Sequence, residues 1–328
     1  MSGFRVLSRS DLRSLMRFGD YVEAVAEAFR LLVEGRCQSP VPTEIPAQDG
    51  TFHIKAGALP RGTGYVAAKI NGNFPSNKAR HGLPTIQGAV YLADAGNGSP
   101  LALLDSTEIT LQRTGAATAV AARYLARKDA TTAAICGCGE QGRIQLAALR
   151  HVLDLRTAFA WDADADVARA FARRMAAETG ITVQAVDELG EATRTSGAIV
   201  TCTTAREPFL GIEHVRPGTF VAAIGADNPA KSELTPQLMA NATVVADVLE
   251  QALFMGDLHH AIAAGTMTTA DVHAELGQLV TGERPGRRNA DEITIFDSTG
   301  TGIQDVAAAS RAYERALARG AGLVCTLG

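Results

Sequence analysis

The stretch AAICGCGEQGRIQ places Gly137, Gly139 and Gly142 in the spacing G-x-G-x-x-G, directly after a small-residue strand and at the opening of a helix. The first glycine permits the tight turn and the second lets backbone approach a pyrophosphate. The third lets helix and strand pack closely, and the helix N-terminus then faces the anion. A glycine-rich turn alone is weak evidence. The pattern also needs a carboxylate about 20 residues further on, where it accepts hydrogen bonds from a ribose 2′-OH. Asp162 stands there, closing the strand TAFAW, and an acid at that point repels a 2′-phosphate. With Asp164 and Asp166 adding negative charge, NAD(H) is expected in preference to NADP(H). Glu140 and Gln141 of the same loop, with Thr114 and Thr203, join the candidate cofactor residues. The ordinary alternative for Asp162 is a helix cap, and Cys136 and Cys138 are read as small fillers around the turn.

Three further positions are expensive in a core and useful in a site. Lys69 interrupts the apolar strand YVAAKING, where burying an unpaired ammonium costs several kcal/mol or forces deprotonation. Arg113 sits in the helix that precedes an Ala-rich run, and Asp227 follows the strand TFVAAIG, at the sheet edge where open α/β folds bind ligands. Each has an ordinary reading: a snorkelling lysine, a surface arginine, a capped Asp-Asn-Pro turn. His53 and Lys55 flank Ile54 in FHIKAG and are placed on opposite faces of their strand, so that at most one looks into a pocket shared with Lys69. The other histidines (His81, His151, His214, His259, His260 and His273) lack metal-ligand spacing, and no metal is expected.

These groups need a frame. A chain of 328 residues, 46% hydrophobic, fills two cores of roughly 150 residues each. A helix over 20–35 shows apolar spacing at Val22, Val25, Phe29 and Leu32 and stops at Gly35, and residues 39–104 read as a mostly antiparallel sheet of short runs and turn clusters. Asp105 with Glu108 caps a helix running to about Arg127. From Ala133 onward strands and helices alternate, which favours a parallel doubly wound sheet, and a last helix over 302–319 closes the chain. The fold class expected is therefore α/β, a Rossmann sheet with a second α+β domain. The net charge of −4 gives no footprint for nucleic acid or a membrane surface, and no apolar stretch reaches the length of a membrane span. Five cysteines without paired CxxC spacing, and a first segment lacking a basic start and an apolar core, read as cytoplasmic.

Assembled in order, AAKINGNFPSN, GLPTIQGAVYLAD, GSPLALLDSTEITLQRTGAATAVAARYLARKDA, ICGCGEQG, IGADNPAKSEL and ITIFDSTGTGIQD resemble the ornithine cyclodeaminase/mu-crystallin family, which includes archaeal-type alanine dehydrogenase and ketimine reductases. The resemblance implies a homodimer. A substrate and dimerisation domain of residues 1–115 is completed by the C-terminal helix (305–328), and residues 116–304 form the NAD-binding domain. It makes Lys69 and Arg113 the cations that bind a substrate carboxylate and Asp227 the acid/base at the substrate amine, with Thr85, Lys231 and Ser298 contacting the dinucleotide. The activity implied is hydride transfer at the α-carbon of an amino or imino acid. The alternatives are a cyclodeaminase lyase and a non-enzymatic ligand-binding protein like the crystallin relatives. Cyclodeaminase members tend to carry Glu and Met where this chain has His53 and Lys55, and their early substrate-binding Arg has no counterpart around Thr43–Glu44. Lys55 in the pocket would favour an acidic substrate or one with an additional carboxylate.

Overall fold

The computed structural model describes residues 3–326, which divide into two units: residues up to Ala116 together with Thr301 onward, and Ala117–Gly300. The second division falls earlier than position 305 because the last helix is one continuous element from Gly302.

The first unit opens with β1 (Phe4–Leu7), α1 (Arg9–Leu15) and α2 (Phe18–Val33). There follow β2 (Thr43–Ala47), β3 (Gly50–Leu59), β4 (Tyr65–Asn73), α3 (Asn77–His81), β5 (Ile86–Asp94) and β6 (Pro100–Asp105). Helix α4 (Ser106–Leu125) carries the chain onward, its first turn held by Asp105, whose carboxylate accepts the Glu108 backbone N–H at 2.7 Å. In the second unit come β7 (Thr132–Cys136), α5 (Glu140–Val152), β8 (Thr157–Trp161), α6 (Ala165–Thr179), β9 (Thr182–Ala185), α7 (Leu189–Thr193), β10 (Ala198–Thr201) and β11 (Phe220–Ala223). The remainder is α8 (Pro236–Ala240), β12 (Thr243–Ala246), α9 (Leu249–Ala252), α10 (Asp257–Ala263), β13 (Ala274–Glu275), α11 (Leu276–Thr281) and β14 (Thr294–Asp297). The chain then returns to the first unit as α12 (Gly302–Arg319) and β15 (Leu323–Cys325).

The first-unit sheet runs β15-β1-β6-β5-β4-β3-β2, antiparallel except where β1 pairs β6. Strand period two splits it into faces. Ala67, Lys69, Val90, Leu92 and Leu104 are buried on one side, and α12 packs across β3, β4 and β5 and against α2. On the other side Ile45, Phe52, Val66, Ile70, Tyr91 and Leu103 are exposed, with Ile45 opposite Phe52 and Tyr91 opposite Leu103 in register. The start of α12 is fixed by backbone contact: a Cβ on Gly302 would fall 1.7 Å from the Ala56 carbonyl oxygen, and one on Gly57 would fall 2.7 Å from the Gly302 carbonyl carbon.

The second-unit sheet is parallel throughout, in the order β13-β12-β14-β11-β10-β7-β8-β9. Read from β9, the order β9-β8-β7-β10-β11 is that of a doubly wound dinucleotide-binding sheet, whose direction reverses between β7 and β10. The turns after these two strands therefore border the crevice where such folds take their ligand. No described helix is long and apolar enough to cross a membrane.

Candidate active site

In the first unit, β4 turns Lys69 onto the buried face, where it is 3% exposed. Its Nζ lies 2.9 Å from Asp305 Oδ2 and donates to Oδ1 at 3.0 Å. Arg113 of α4, also buried, donates from Nε to the same Asp305 Oδ1 at 2.9 Å and from Nη1 to Gln304 Oε1 at 2.7 Å. Lys55 on β3 stands directly opposite Lys69 in the strand register and is likewise buried. Burial, then the Arg113 guanidinium, pulls Lys69 down to about 7, with Asp305 opposing them. Burial alone would raise Asp305, but Arg113 and Lys69 outweigh it and hold the carboxyl below its ordinary value.

Lys69 is thus accommodated by an ion-paired network, the arrangement buried charge requires. Asp305 and Gln304 are the residues that reading the sequence missed. The available signal was a Gln-Asp pair between the apolar residues Ile303 and Val306 in the first turn of a helix, where a buried carboxylate demands a cation. His53 and Lys55 correct an expectation. Two residues apart on one strand, they share a face by the period of two. His53 is spent on its neighbour strand, with Nδ1 3.0 Å from Glu44 Oε1. Thr85 precedes β5, where its carbonyl accepts the Phe74 N–H, and Thr114 is buried beside Arg113.

In the second unit each glycine of the G-x-G-x-x-G turn has its own reason. Gly137 has φ +105°, and its Cβ would meet the Cys202 carbonyl at 2.8 Å. A Cβ on Gly142 would lie 2.3 Å from the Gly137 carbonyl oxygen, whereas one on Gly139 would meet nothing within 4 Å. The open approach is therefore at Gly139, the N-cap of α5, where a pyrophosphate would come against helix N–H groups. Asp162 Oδ2 accepts from Cys138 N at 2.8 Å and Oδ1 from Asp164 N, tying the glycine turn to the end of β8. The cap of α6 belongs to Asp164, which accepts from Asp166 N. Asp162, Gly137, Gly139, Trp161, Thr203 and Phe209 line an open cleft of about 510 Å³. These residues fit a dinucleotide, whose ribose hydroxyls would face Asp162.

Glu140 gives its carboxylate to Arg143 and Arg174, leaving its backbone for the loop, and Gln141 Oε1 is buried without a hydrogen-bond partner among the described residues. Burial pushes Cys136 and Cys202 well up and Cys138 to about 12, which disfavours their thiolates and accords with Cys136 and Cys138 as small fillers of the turn. Asp227 lies beyond the end of β11 with its Oδ1 2.7 Å from Lys231 Nζ. Ser298, buried after β14, donates its N–H to the Ala223 carbonyl at 3.0 Å. Among the described residues no group of three or more His, Cys, Asp or Glu side chains could hold a metal ion.

The profile of the ornithine cyclodeaminase/mu-crystallin family matches residues 4–320, both units together. The chain belongs to this family. Among family members it is 38% identical to the alanine dehydrogenase of Archaeoglobus fulgidus over 317 residues, 97% of this chain and 96% of the relative. Among solved structures, an archaeal alanine dehydrogenase dimer with bound NAD superposes with a TM-score of 0.94 at 37% identity, covering 99% of each chain. The Delta(1)-pyrroline-2-carboxylate reductase of Thermococcus litoralis, in complex with NADH and L-proline, also gives 0.94 at 35% identity, over 98% of this chain and all of that one.

If the Asp162 carboxylate meets the ribose, Asp162→Ala removes an acceptor for its hydroxyls and a charge that repels a 2′-phosphate, so the ratio of kcat/KM for NADH over NADPH should fall by about tenfold or more, the equivalent of ~1.4 kcal/mol. An unchanged ratio would take Asp162 out of the ribose role.

Proposed function

We propose that this protein is an NAD(H)-dependent oxidoreductase that works at the α-carbon of an amino acid or its imine, as an amino-acid dehydrogenase or imine reductase. The observation that carries the substrate side is the first-unit cluster. Lys69 and Arg113 converge on one carboxylate, and Gln304 Nε2 beside them is buried with no hydrogen-bond partner among the described residues. A buried donor of that kind next to two cations is satisfied by an incoming carboxylate. The relatives named for alanine and for pyrroline-2-carboxylate support the same class, since both molecules carry a carboxylate on the carbon that bears nitrogen.

The bound nicotinamide supplies the acceptor or donor of the hydride, and its chemistry needs no other redox group. Lys69 and Arg113 grip the carboxylate and fix the α-carbon. Asp227 takes the proton from the substrate ammonium so that the nitrogen lone pair can form the imine as hydride leaves. In the reverse direction it protonates the imine nitrogen and holds the resulting positive charge. Lys231 Nζ, 2.7 Å from Asp227 Oδ1, holds that carboxylate in place. Gly137, Gly139, Gly142 and Asp162 hold the dinucleotide, with Thr85, Thr114, Thr203, Lys231 and Ser298 as further contacts.

The exposed apolar face of the first-unit sheet supports a homodimer: such patches mark interfaces, and the archaeal alanine dehydrogenase relative is described as a dimer. A monomer in sedimentation at micromolar concentration would end that reading. Five unpaired cysteines accord with a cytoplasmic protein.

The test of activity is absorbance at 340 nm with a panel of alanine, proline, aspartate and ornithine plus NAD+, and of the matching imines plus NADH. Stoichiometric change in the nicotinamide signal is expected. Release of ammonia and proline from ornithine without net NADH would make the protein a cyclodeaminase, and tight NADH binding without turnover of any substrate would make it a ligand-binding protein.

A further inference from the structure

Four acids are fully buried at the carboxyl edge of the second-unit sheet: Glu233, Asp247, Asp257 and Asp297. Each is engaged with backbone. Asp297 accepts the Asp257 and Leu258 N–H groups at the start of α10, and Asp257 accepts those of Glu233 and Leu234. Asp247 accepts those of Thr299 and Gly300. Glu233 ends the relay, and it bridges two different loops. Its Oε1 accepts the Thr203 N–H at 2.6 Å and the Thr203 hydroxyl at 2.7 Å, while its Oε2 accepts the Gly225 N–H at 2.8 Å.

The two loops it joins are the ones that matter on the cofactor reading above. Thr203 lines the cleft with Gly137 and Asp162, and Gly225 begins the turn whose next residues reach Asp227. A Cβ on Gly225 would meet the Glu233 carboxylate at 2.3 Å, so the loop can approach it only because Gly225 has no side chain. Neutral hydroxyls or amides would not serve as well, since a carboxylate offers two acceptors and no donor, and three donors converge on it.

We propose that Glu233 is a positioning residue: it sets the loop of Thr203 and the loop of Asp227 in one geometry, and so couples dinucleotide binding to placement of the acid/base group. The inference rests on the dinucleotide cleft proposed above. It gives the clamp a proton dependence. Burial, then the Asp257 carboxylate, pushes Glu233 up to about 7. The groups facing it are Asp257 at the head of α10, Thr201 at the end of β10, Thr203 after it, Cys202 between them and Cys136 at the end of β7. A proton placed on Glu233 must sit on an oxygen that now accepts from N–H. Oε1 holds two donors and Oε2 one, so the proton goes to Oε2 and the Gly225 end is released.

The experiment uses Glu233→Gln and Glu233→Asp in the full chain. Trp161 is the only tryptophan and lines the cleft, so NADH binding is read by energy transfer from it, while amide exchange at residues 203 and 225 is followed without cofactor. In the wild type, NADH affinity should fall as pH drops through about 7, and Gly225 should exchange faster before Thr203 does. Glu233→Gln presents an NH₂ to a donor at every pH. It should lose NADH affinity about tenfold or more, the scale of a charge-assisted hydrogen bond, speed exchange at Gly225, and flatten the pH limb. Glu233→Asp keeps the ionisation and should restore the limb at lower affinity, and it carries both readouts if the Gln variant does not fold. Wild-type exchange rates at both amides in the variants would overturn the clamp. A pH limb retained in Glu233→Gln would overturn its proton dependence. Absence of NADH binding by the wild type at every pH would sink the cofactor reading instead, and the exchange rates would still decide the clamp.

Discussion

Asp227→Asn should lower kcat by at least ~100-fold, the scale of a lost general acid/base, and leave NADH affinity nearly unchanged. The substitution keeps shape and removes the charge with which Asp227, on the proposed mechanism, exchanges a proton and holds the substrate nitrogen. Lys231 loses its carboxylate partner at 2.7 Å, but the Asp227 side chain is half exposed, and ion pairs in such settings contribute about 1 kcal/mol or less. Folding should therefore survive, and thermal melting with NADH titration separates the cases. A turnover within a few-fold of wild type would remove Asp227 from the chemistry and leave the glycine turn as evidence of cofactor binding only.

Arg113→Met is the second large effect, and it should appear in KM more than in kcat. Truncating one partner of a buried, hydrogen-bonded charge pair costs roughly 2–5 kcal/mol, so KM for the carboxylate substrate should rise about 30-fold or more. Asp305, left with one ion-pair partner fewer, should also lower the melting temperature. The pH dependence supplies a readout that simple loss of packing would not give. Lys69 holds a carboxylate only while protonated, and it sits at about 7 because of burial first and Arg113 next. In the wild type, KM should climb as pH rises above about 7. Removing Arg113 removes a force that lowers Lys69, so the climb should begin at higher pH in the variant. A limb at the wild-type position would show that the two cations do not share one site.

The parallel unit was legible because its signals are local. The run TAFAW marked β8 at its observed limits, the alternation of strands and helices gave the parallel sheet, and the glycine spacing marked the turn after β7. The last helix, expected over 302–319, is α12 from Gly302 to Arg319. The first unit was less legible, since its sheet is closed by strands of four and three residues, β1 and β15, too short for a period to show and paired across nearly the whole chain. The candidate site shows the same division. That Lys69 needed a counter-charge followed from an ammonium in an apolar strand, but its partner lies 236 positions away in a helix whose pattern is mostly apolar. Glu233 carried no signal, because two of the three groups that donate to it are backbone N–H groups, and backbone has no sequence. His53 and Lys55 were open to a plain argument from strand geometry, which puts them together.

The return of α12 to the sheet, seated where Gly302 meets Gly57, sets an order on assembly during synthesis. Lys69 and Arg113 leave the ribosome 236 and 192 positions ahead of the aspartate that neutralises them. At ~5–20 residues per second that is a delay of roughly 10–50 s. The Ala117–Gly300 unit is continuous and complete before Asp305 emerges, whereas the nascent first unit holds cations it cannot yet bury. Translation therefore completes the parallel-sheet unit first, and the antiparallel-sheet unit reaches its final packing only once α12 has emerged.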